Sequence, residues 1–214
     1  MIKYRWYKLL TNKSLSFIKE KILLKPFNNG IDNGFVLTKH SDKTIVGSFH
    51  YISYVYQEDT TLSISNTIQF TISSIKDKLY LRLRNPSNGV QELSKELFNI
   101  CFLDLAFEPV KITFDNIESW FLAEKLSNHL ISFKVRNLKL TDDIFSDITF
   151  KSKNHIFLNK VPLLQDKHYD VVMMTWLVLY DGNYCKITIN RSGLIYIDEN
   201  IVLKFLNYIE SHIL

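Results

Sequence analysis

Histidine, cysteine and acidic side chains form most catalytic and metal sites in proteins, and their spacing in this chain matches few such patterns. The six histidines include no pair at the HExxH or HxH spacing of a zinc site, and the two cysteines form no CxxC. The chain has no GxSxG motif, no glycine-rich phosphate loop and no acidic residue two positions before a lysine. The sequence therefore predicts neither a metal site nor a cofactor, and an enzyme is not the favoured class.

Two acidic clusters are the remaining candidates for a hydrolytic site. Asp142 and Asp143 lie close to Asp147, and Glu58-Asp59 form the second cluster. Both clusters fall in predicted loops, where a general acid or a metal site would need side chains that converge in space. A hydrolase with a loop carboxylate site is thus one hypothesis, and solvated turn residues are the favoured interpretation.

His50 and His155 would occupy equivalent positions if the chain is duplicated, as argued below. A catalytic pair is one interpretation of them. Histidines that lie in strands with their ring nitrogens satisfied by hydrogen bonds are the favoured one.

Cations alternate with leucines in the predicted strand Lys78–Arg84, and the predicted strand 184–190 has a similar polar face. Cations beside an aromatic ring suit a backbone phosphate and a stacked base. The candidate binding residues are Lys78, Tyr80, Arg82, Arg84, Lys134, Arg136 and Lys186. A solvated strand whose long cations deter edge pairing is the alternative, and it is favoured over a nucleic-acid site.

Residues 171–180 are apolar on both alternating faces of a predicted strand. Such a strand is expected to be covered on both sides, by the rest of the chain, by a second copy or by another protein. Methionine and tryptophan suit an adaptable contact surface. The interface candidates are Val172, Met174, Trp176 and Val178. Burial within the chain is favoured over a partner.

The composition is that of an ordinary globular protein. Hydrophobic residues make up 46% and charged residues 22%, which excludes global disorder. The net charge of +4 permits contact with nucleic acid or an acidic protein and demands neither. Cys101 and Cys185 both fall in apolar patterns and are predicted to be buried free thiols. With no signal-peptide core and no apolar run of membrane-spanning length, we expect a cytoplasmic protein that does not enter a membrane.

Alternating and helical patterns predict an α+β fold. Strands are predicted at 2–10, 35–37, 44–56, 62–73, 78–84, 110–114, 171–180, 184–190 and 194–197. One helix is predicted after a cap at Thr11, and another after a capping box at Asp115 and Glu118. Two more are predicted near 90–102 and, after a cap at Asp198, at the end of the chain. Gly47 indicates a bulge or bend in its strand.

The same order of elements recurs at an offset of roughly 105 residues, which indicates an internal repeat. The helix segments at 17–22 and 121–126 share Phe, Glu and Lys at matching positions. We therefore predict a tandem pseudo-repeat of β-α-β-β-β-β-α units, residues 1–106 and 107–214, with helices packed on one face of antiparallel sheet. Accidental similarity of two α+β segments is the alternative.

This duplicated order of elements is similar to that of the TATA-box-binding-like fold, whose halves join into a curved sheet with helices on its back. The similarity covers element order alone and no motif of that family, so it implies a sheet platform rather than a reaction.

The leading functional hypothesis is a non-catalytic interaction protein, a subunit, adaptor or inhibitor-like factor that docks a protein partner on its sheet surface. Self-association is included in that hypothesis. The alternative is a nucleic-acid-binding protein that uses a basic and aromatic sheet face, and the hydrolase is the third.

Overall fold

The computed structural model of the chain describes residues 1–28, 32–57, 60–86 and 90–214. These residues form two compact units, one of residues 4–110 and one of residues 1–3 with 111–214. We call them the N-terminal and the C-terminal unit. The structure contains both helices and strands, and the strand pairs described below are antiparallel. This confirms the predicted α+β class. The division into related halves, 1–106 and 107–214, stays a prediction.

The described residues of the N-terminal unit form six strands and two α-helices. Its elements are β1 (Ile2–Leu10, whose first two residues belong to the other unit), α1 (Leu15–Leu23), β2 (Asn33–His40), β3 (Thr44–Gln57), β4 (Thr60–Ile75), β5 (Lys78–Arg84), α2 (Val90–Ile100) and β6 (Ala106–Pro109). The strand order is β2-β3-β4-β5-β1, and β6 pairs with residues 7–10 of β1. Each neighbouring pair of these strands is antiparallel.

Helices α1 and α2 cover one face of this sheet. The core between them contains the inward residues Ile68, Phe70 and Ile72 of β4 and the inward residues Leu81 and Leu83 of β5. Their alternation confirms the prediction for both strands, because successive side chains of a strand point to opposite faces.

Ser14, and not Thr11, caps helix α1. The Ser14 hydroxyl accepts a hydrogen bond from the Phe17 N–H at 3.2 Å. The Thr11 hydroxyl instead donates to the Asp104 carbonyl at 2.6 Å. The predicted cap was therefore wrong, because a distant backbone acceptor satisfies the threonine.

A bulge lies where Gly47 predicted one, but on the neighbouring strand. The β2–β3 register shifts between Leu37 and Lys39, whereas the β3–β4 ladder is continuous through Gly47. A Cβ at Gly47 would lie 2.6 Å from the Val36 carbonyl oxygen. Only glycine therefore allows this close approach of the two backbones.

The C-terminal unit contains five strands and two helices. Its elements are α3 (Phe114–Ala123), β7 (Asn128–Lys139), β8 (Phe145–Lys151), β9 (Asp170–Tyr180), β10 (Asn183–Asn190), β11 (Ile195–Ile197) and α4 (Val202–Tyr208), which continues as a wider helical turn, Ile209–Ile213. The strand order is β8-β7-β9-β10-β11. The buried rings of Trp120 and Phe121 on α3 contact Phe205 of α4 and Trp176 of β9, so both helices cover one face.

Helix α3 begins earlier than predicted. Thr113 is its cap: its hydroxyl accepts from the Asn116 N–H at 3.3 Å, and the Asn116 side chain accepts from the Thr113 N–H at 2.9 Å. The predicted strand 110–114 and the predicted box at Asp115 were wrong, because this reciprocal pair ends the extended chain and opens the helix at Phe114.

Asp198 was expected to cap the last helix, and it does not. Its carboxylate accepts the Lys186 N–H at 2.6 Å, and no side-chain cap bond is formed at that helix start. The apolar face of the helix was predicted correctly at Ile201, Phe205, Leu206 and Ile209, which are buried.

The two units differ in strand order. In the N-terminal unit β4 lies beside β3, the strand that precedes it, whereas in the C-terminal unit β9 lies beside β7 and β8 occupies the edge. The internal repeat and the similarity to the TATA-box-binding-like fold are therefore not confirmed. Among the described residues, no helix has both the length and the apolar character needed to cross a membrane.

Candidate functional site

Ser48 and His50 form a contact that resembles a nucleophile and its base. The Ser48 hydroxyl lies 2.8 Å from His50 Nε2, and the Thr67 hydroxyl lies 3.1 Å from His50 Nδ1. Burial lowers the pKa of His50, whereas a carboxylate in the position of Thr67 would stabilise the imidazolium. The Phe27 ring also stacks on the imidazole at a centroid distance of 4.8 Å. The geometry is that of a histidine fixed by hydroxyls and packing.

His155 lies in the C-terminal unit, outside any strand, and its Nδ1 accepts the Leu130 N–H at 3.2 Å. That bond requires an unprotonated Nδ1, so the ring connects a loop to strand β7. Both histidines are hydrogen-bonded, as the favoured interpretation expected, but only His50 lies in a strand, so the strand position expected for His155 was wrong.

Two of the three carboxylates of the predicted cluster near Asp142 form ion pairs. Asp142 lies 2.7 Å from the Lys139 ammonium, and Asp147 contacts Lys134 and Arg136 at 3.7 and 3.2 Å. Glu58 and Asp59, the second predicted cluster, lie outside the described residues. Within the ranges that the structure describes, no group of three or more His, Cys, Asp or Glu side chains is arranged to hold a metal ion.

The basic strand Lys78–Arg84 is β5, and its polar side chains lie on the face away from α1 and α2, as alternation predicted. Arg82 and Arg84 line a depression of about 320 Å³, and an Arg82 nitrogen lies 3.4 Å from the Thr71 hydroxyl. Tyr80, however, is only 7% exposed, and burial, with a smaller contribution from Glu108, raises its pKa. This ring is therefore not available to stack on a base, while Lys78 is exposed at the start of the strand.

A row of polar side chains crosses all five strands of the C-terminal unit on the face away from its helices. The paired positions run from Lys151 on β8 through Ser132, Thr175 and Thr188 to Tyr196 on β11. We call these five residues the polar row. At about 4.8 Å per strand, the row spans roughly 19 Å.

Three hydroxyls at the centre of the polar row are buried. They belong to Ser132, Thr175 and Thr188, and the two threonine oxygens lie 3.0 Å apart. The row forms part of the lining of an open depression of about 640 Å³. Polar groups at the bottom of a depression need hydrogen-bonding partners, which water or a ligand can supply.

Cations surround the polar row. Lys134, Arg136 and Lys186, predicted as binding residues, lie on the same face as Lys151. One carboxylate, Asp147, contacts Lys134 and Arg136. Among the described residues, no ion pair is found for the exposed Lys151 and Lys186 ammonium groups. Four cations against two carboxylates, Asp147 and Asp198, whose oxygen accepts the Lys186 N–H at 2.6 Å, leave this part of the face with a net positive charge.

Tyr184 adds an aromatic ring to this face. It alternates with Cys185, which is buried, and precedes Lys186 by two residues on the same side of β10. Its side chain is 66% exposed. The ring can therefore stack on a planar ligand without rearrangement of the sheet.

The predicted interface residues of β9 point the other way. Met174, Trp176 and Val178 are buried against the helix side of the C-terminal unit, and Trp176 contacts Phe121 at a centroid distance of 5.8 Å. Val172 is half-buried. Met174, Trp176 and Val178 are therefore not available to a partner, because they pack against the helices of their own unit, whereas Val172 lines an open depression. Burial within the chain was the favoured interpretation.

Sequence reasoning missed most of the polar row, namely Ser132, Lys151, Thr175 and Tyr196. Ser132, Lys151 and Tyr196 lie on the polar side of alternating segments, which the sequence does signal, whereas Thr175 is a polar residue in a strand otherwise apolar on both faces. Their meeting depends on the pairing of β7 with β9 and on two register shifts in that pair, which no local pattern reveals.

A comparison with known protein families finds no family that matches, and a comparison with curated proteins finds no relative.

Proposed function

We propose that the chain is a non-catalytic binding protein whose ligand docks on the polar-row face of the C-terminal unit, and that this ligand is a single-stranded nucleic acid. The observation that carries the proposal is the combination of four cations, buried hydroxyls and one exposed ring on a single sheet face. This was the alternative hypothesis from the sequence, whose candidate residues included Lys134, Arg136 and Lys186 of this face as well as those of Lys78–Arg84.

Each group matches one part of a nucleotide. Lysine and arginine neutralise backbone phosphates, and serine and threonine hydroxyls bond to phosphate and sugar oxygens. Tyr184 offers a surface on which an unpaired base can stack. An unpaired base is needed because the bases of a duplex already stack on each other, so a single strand fits better than a duplex.

The test measures binding of a fluorescein-labelled single-stranded RNA and the matching DNA by anisotropy at several salt concentrations. If about four phosphates are neutralised, the slope of log K against log salt should be near −2.8 for a single strand. From 50 to 200 mM salt the affinity would then fall about 50-fold.

Lys151→Ala and Lys186→Ala should each reduce the magnitude of that slope by about 0.7. Lys95→Ala, an exposed lysine of α2, is the matched control and should leave the slope unchanged. Tyr184→Ala should weaken binding by about 1–3 kcal/mol with the slope retained. Absence of binding at low salt, or a slope insensitive to both lysine substitutions, would disprove the proposal.

A protein ligand on this face is the second candidate, and it keeps the leading hypothesis from the sequence. It is favoured by the outward side of β9, where Met173 and Leu177 are half-buried and Leu179 is 40% exposed. A protein that buries these residues would bind with little dependence on salt. Capture of that protein ligand by the immobilised chain should then be lost in the double variant Leu177→Ser/Leu179→Ser and retained in Lys151→Ala.

The cytoplasmic location expected from the sequence is kept as part of this proposal.

We also infer that the two units arose by tandem duplication. What supports duplication is the recurrence of two helices packed on one face of an antiparallel sheet in each unit, together with the sequence offset. The different positions of β3 and β8 would then be a later exchange at the sheet edge. Duplication would be refuted if the two sheets fail to superpose when β3 is matched to β8 and the other strands keep their sequence order.

A further inference from the structure

The hairpin of β3 and β4 extends beyond the rest of its sheet. Its ladder runs from Thr44 opposite Ser73 to Gln57 opposite Thr60. The β2 ladder ends at Tyr51, apart from one further bond at Ile52, and the β5 ladder begins at Gln69. Among the described residues, the segments 53–57 and 60–65 therefore pair with each other and with no other strand. We call these two segments the arm.

The described segments of the arm carry five exposed large hydrophobic side chains and no charged residue; Glu58 and Asp59, which join the segments in the sequence, lie outside the described residues. Tyr56 is 78% exposed, and Tyr54, Val55, Leu62 and Ile64 are also among the exposed large hydrophobic residues. The sequence contains no Lys, Arg, Asp or Glu in 44–57 or in 60–75. Soluble proteins usually protect exposed strand edges with charged side chains or proline, because an open edge pairs with other strands. This arm lacks both in its described part.

One edge of the arm presents backbone groups in the place where β2 ends. The Ile52 N–H donates to the Asp32 carbonyl at 2.8 Å, on the β2 side of β3. Alternate residues of a strand direct their N–H and C=O groups to the same neighbour. The backbone N–H and C=O groups of Tyr54 and Tyr56 therefore point to the same side as those of Ile52, beyond the end of β2, where a further strand would continue the sheet.

We propose that this edge pairs with the same edge of a second copy of the chain. Antiparallel pairing about a twofold axis places Val55 opposite Val55 of the second copy and Tyr54 opposite its Tyr56. Each tyrosine then exchanges both backbone hydrogen bonds with its opposite residue, while Ile52 keeps its bond to Asp32.

A second copy fits this edge better than a charged partner strand does. The facing segments 53–57 contain no charged residue and so meet without like-charge repulsion, and the two Tyr54–Tyr56 pairs are of the aromatic kind that stabilises antiparallel sheets. Two strand edges bury less than the roughly 1,200 Å² of a stable interface. The dimer is therefore weak and depends on protein concentration.

The test measures the mass of the full chain in solution by sedimentation velocity over a wide concentration range, in the absence of nucleic acid. The mass of the wild type should rise from that of one chain toward that of two. Val55→Lys and Val55→Glu should each weaken the dimer at least tenfold, because like charges then face each other at the twofold axis. An equimolar mixture of the two variants should restore dimers.

Leu62→Lys is the matched control. Leu62 pairs with Val55 across the hairpin, so the same charge lies on the same face but one strand farther from the proposed edge. It should dimerise like the wild type, and circular dichroism should show all variants folded. A wild type that stays monomeric, a Val55→Lys variant that dimerises normally, or a mixture that does not reassociate would each overturn the proposal. The salt slope for nucleic acid should be unchanged in Val55→Lys, so the two proposals fail separately.

Discussion

Replacing Trp176 by alanine distinguishes a core residue of β9 from a contact surface. Trp176 is 2% exposed and contacts the rings of Phe121 and Phe114 at centroid distances of 5.8 and 6.4 Å. Leu179 lies on the same strand, on the opposite face, and is exposed. If β9 attaches the helices through its even-numbered residues, Trp176→Ala should destabilise the C-terminal unit strongly and Leu179→Ala only slightly.

The magnitude follows from the burial of the indole. Truncation of a buried tryptophan costs about 3–5 kcal/mol, which includes the loss of two aromatic contacts worth about 0.5–1.5 kcal/mol each. An exposed leucine should cost at most about 0.5–1 kcal/mol. With a urea m value of about 2 kcal/mol/M, Trp176→Ala should lower the unfolding midpoint by about 2 M.

Unfolding of the C-terminal unit can be followed separately from that of the N-terminal unit, since two units need not unfold together. Cys185 is buried in the C-terminal unit and Cys101 in the N-terminal unit. Pulsed thiol labelling in urea, with mass spectrometry to identify the labelled cysteine, therefore gives a midpoint for each unit. Trp176→Ala should move the Cys185 midpoint and leave the Cys101 midpoint nearly in place.

The reasoning is refuted if Trp176→Ala shifts the Cys185 midpoint no further than Leu179→Ala does. Should Trp176→Ala fail to fold, Trp176→Phe, which keeps a ring against Phe121, supplies a milder test. Its expected cost is about 1–2 kcal/mol, still above that of Leu179→Ala. An equal cost for the phenylalanine and Leu179→Ala variants would refute the same reasoning.

Three further predictions concern the reactivity of the two cysteines, the titration of His50 and the ion pair between Glu96 and Lys25. Burial, with a smaller effect of Asp104, raises the pKa of Cys101 to about 11, and burial also raises that of Cys185, so a thiol reagent at pH 8 should label neither in the folded chain; fast native labelling would contradict this. Burial lowers the pKa of His50, so the folded state binds fewer protons than the unfolded state. The free energy of unfolding should therefore be highest above about pH 6.5 and decrease as the pH falls below it. The decrease, measured as the difference between the urea midpoints at pH 7.5 and 5.5, should be smaller in His50→Gln than in the wild type. The buried Glu96 carboxylate lies 2.6 Å from the Lys25 ammonium, so Glu96→Ala should cost about 1–3 kcal/mol in urea unfolding of the N-terminal unit; a cost within about 0.5 kcal/mol would show that the pair contributes little.

Strand alternation and helix faces could be predicted from the sequence because they depend on local spacing. The leucines of β5 and the apolar face of α4 were predicted correctly for that reason. Helix starts were predicted less well, because several neighbouring residues are able to cap. Thr11 and Ser14 both qualify, and the Asp104 carbonyl, which binds Thr11, decides between them.

The candidate site could be predicted only in part for a similar reason. Alternation placed Lys186 and Tyr184 on one face of β10, and this is what the structure has. It also gave the correct side for Tyr80 but not its burial, which depends on neighbouring elements. The polar row needs the pairing of β7 with β9, whereas a simple meander would have placed β8 there.

The buried hydroxyls of Ser132, Thr175 and Thr188 disfavour the binding of apolar ligands to this surface. An apolar ligand that covered them would exclude water and offer no hydrogen bond, and a buried hydroxyl left without a hydrogen-bonding partner costs about 1–3 kcal/mol. Molecules rich in oxygen and nitrogen avoid that penalty. Discrimination at this face would thus come from the cost of a poor match as much as from the attraction of a good one.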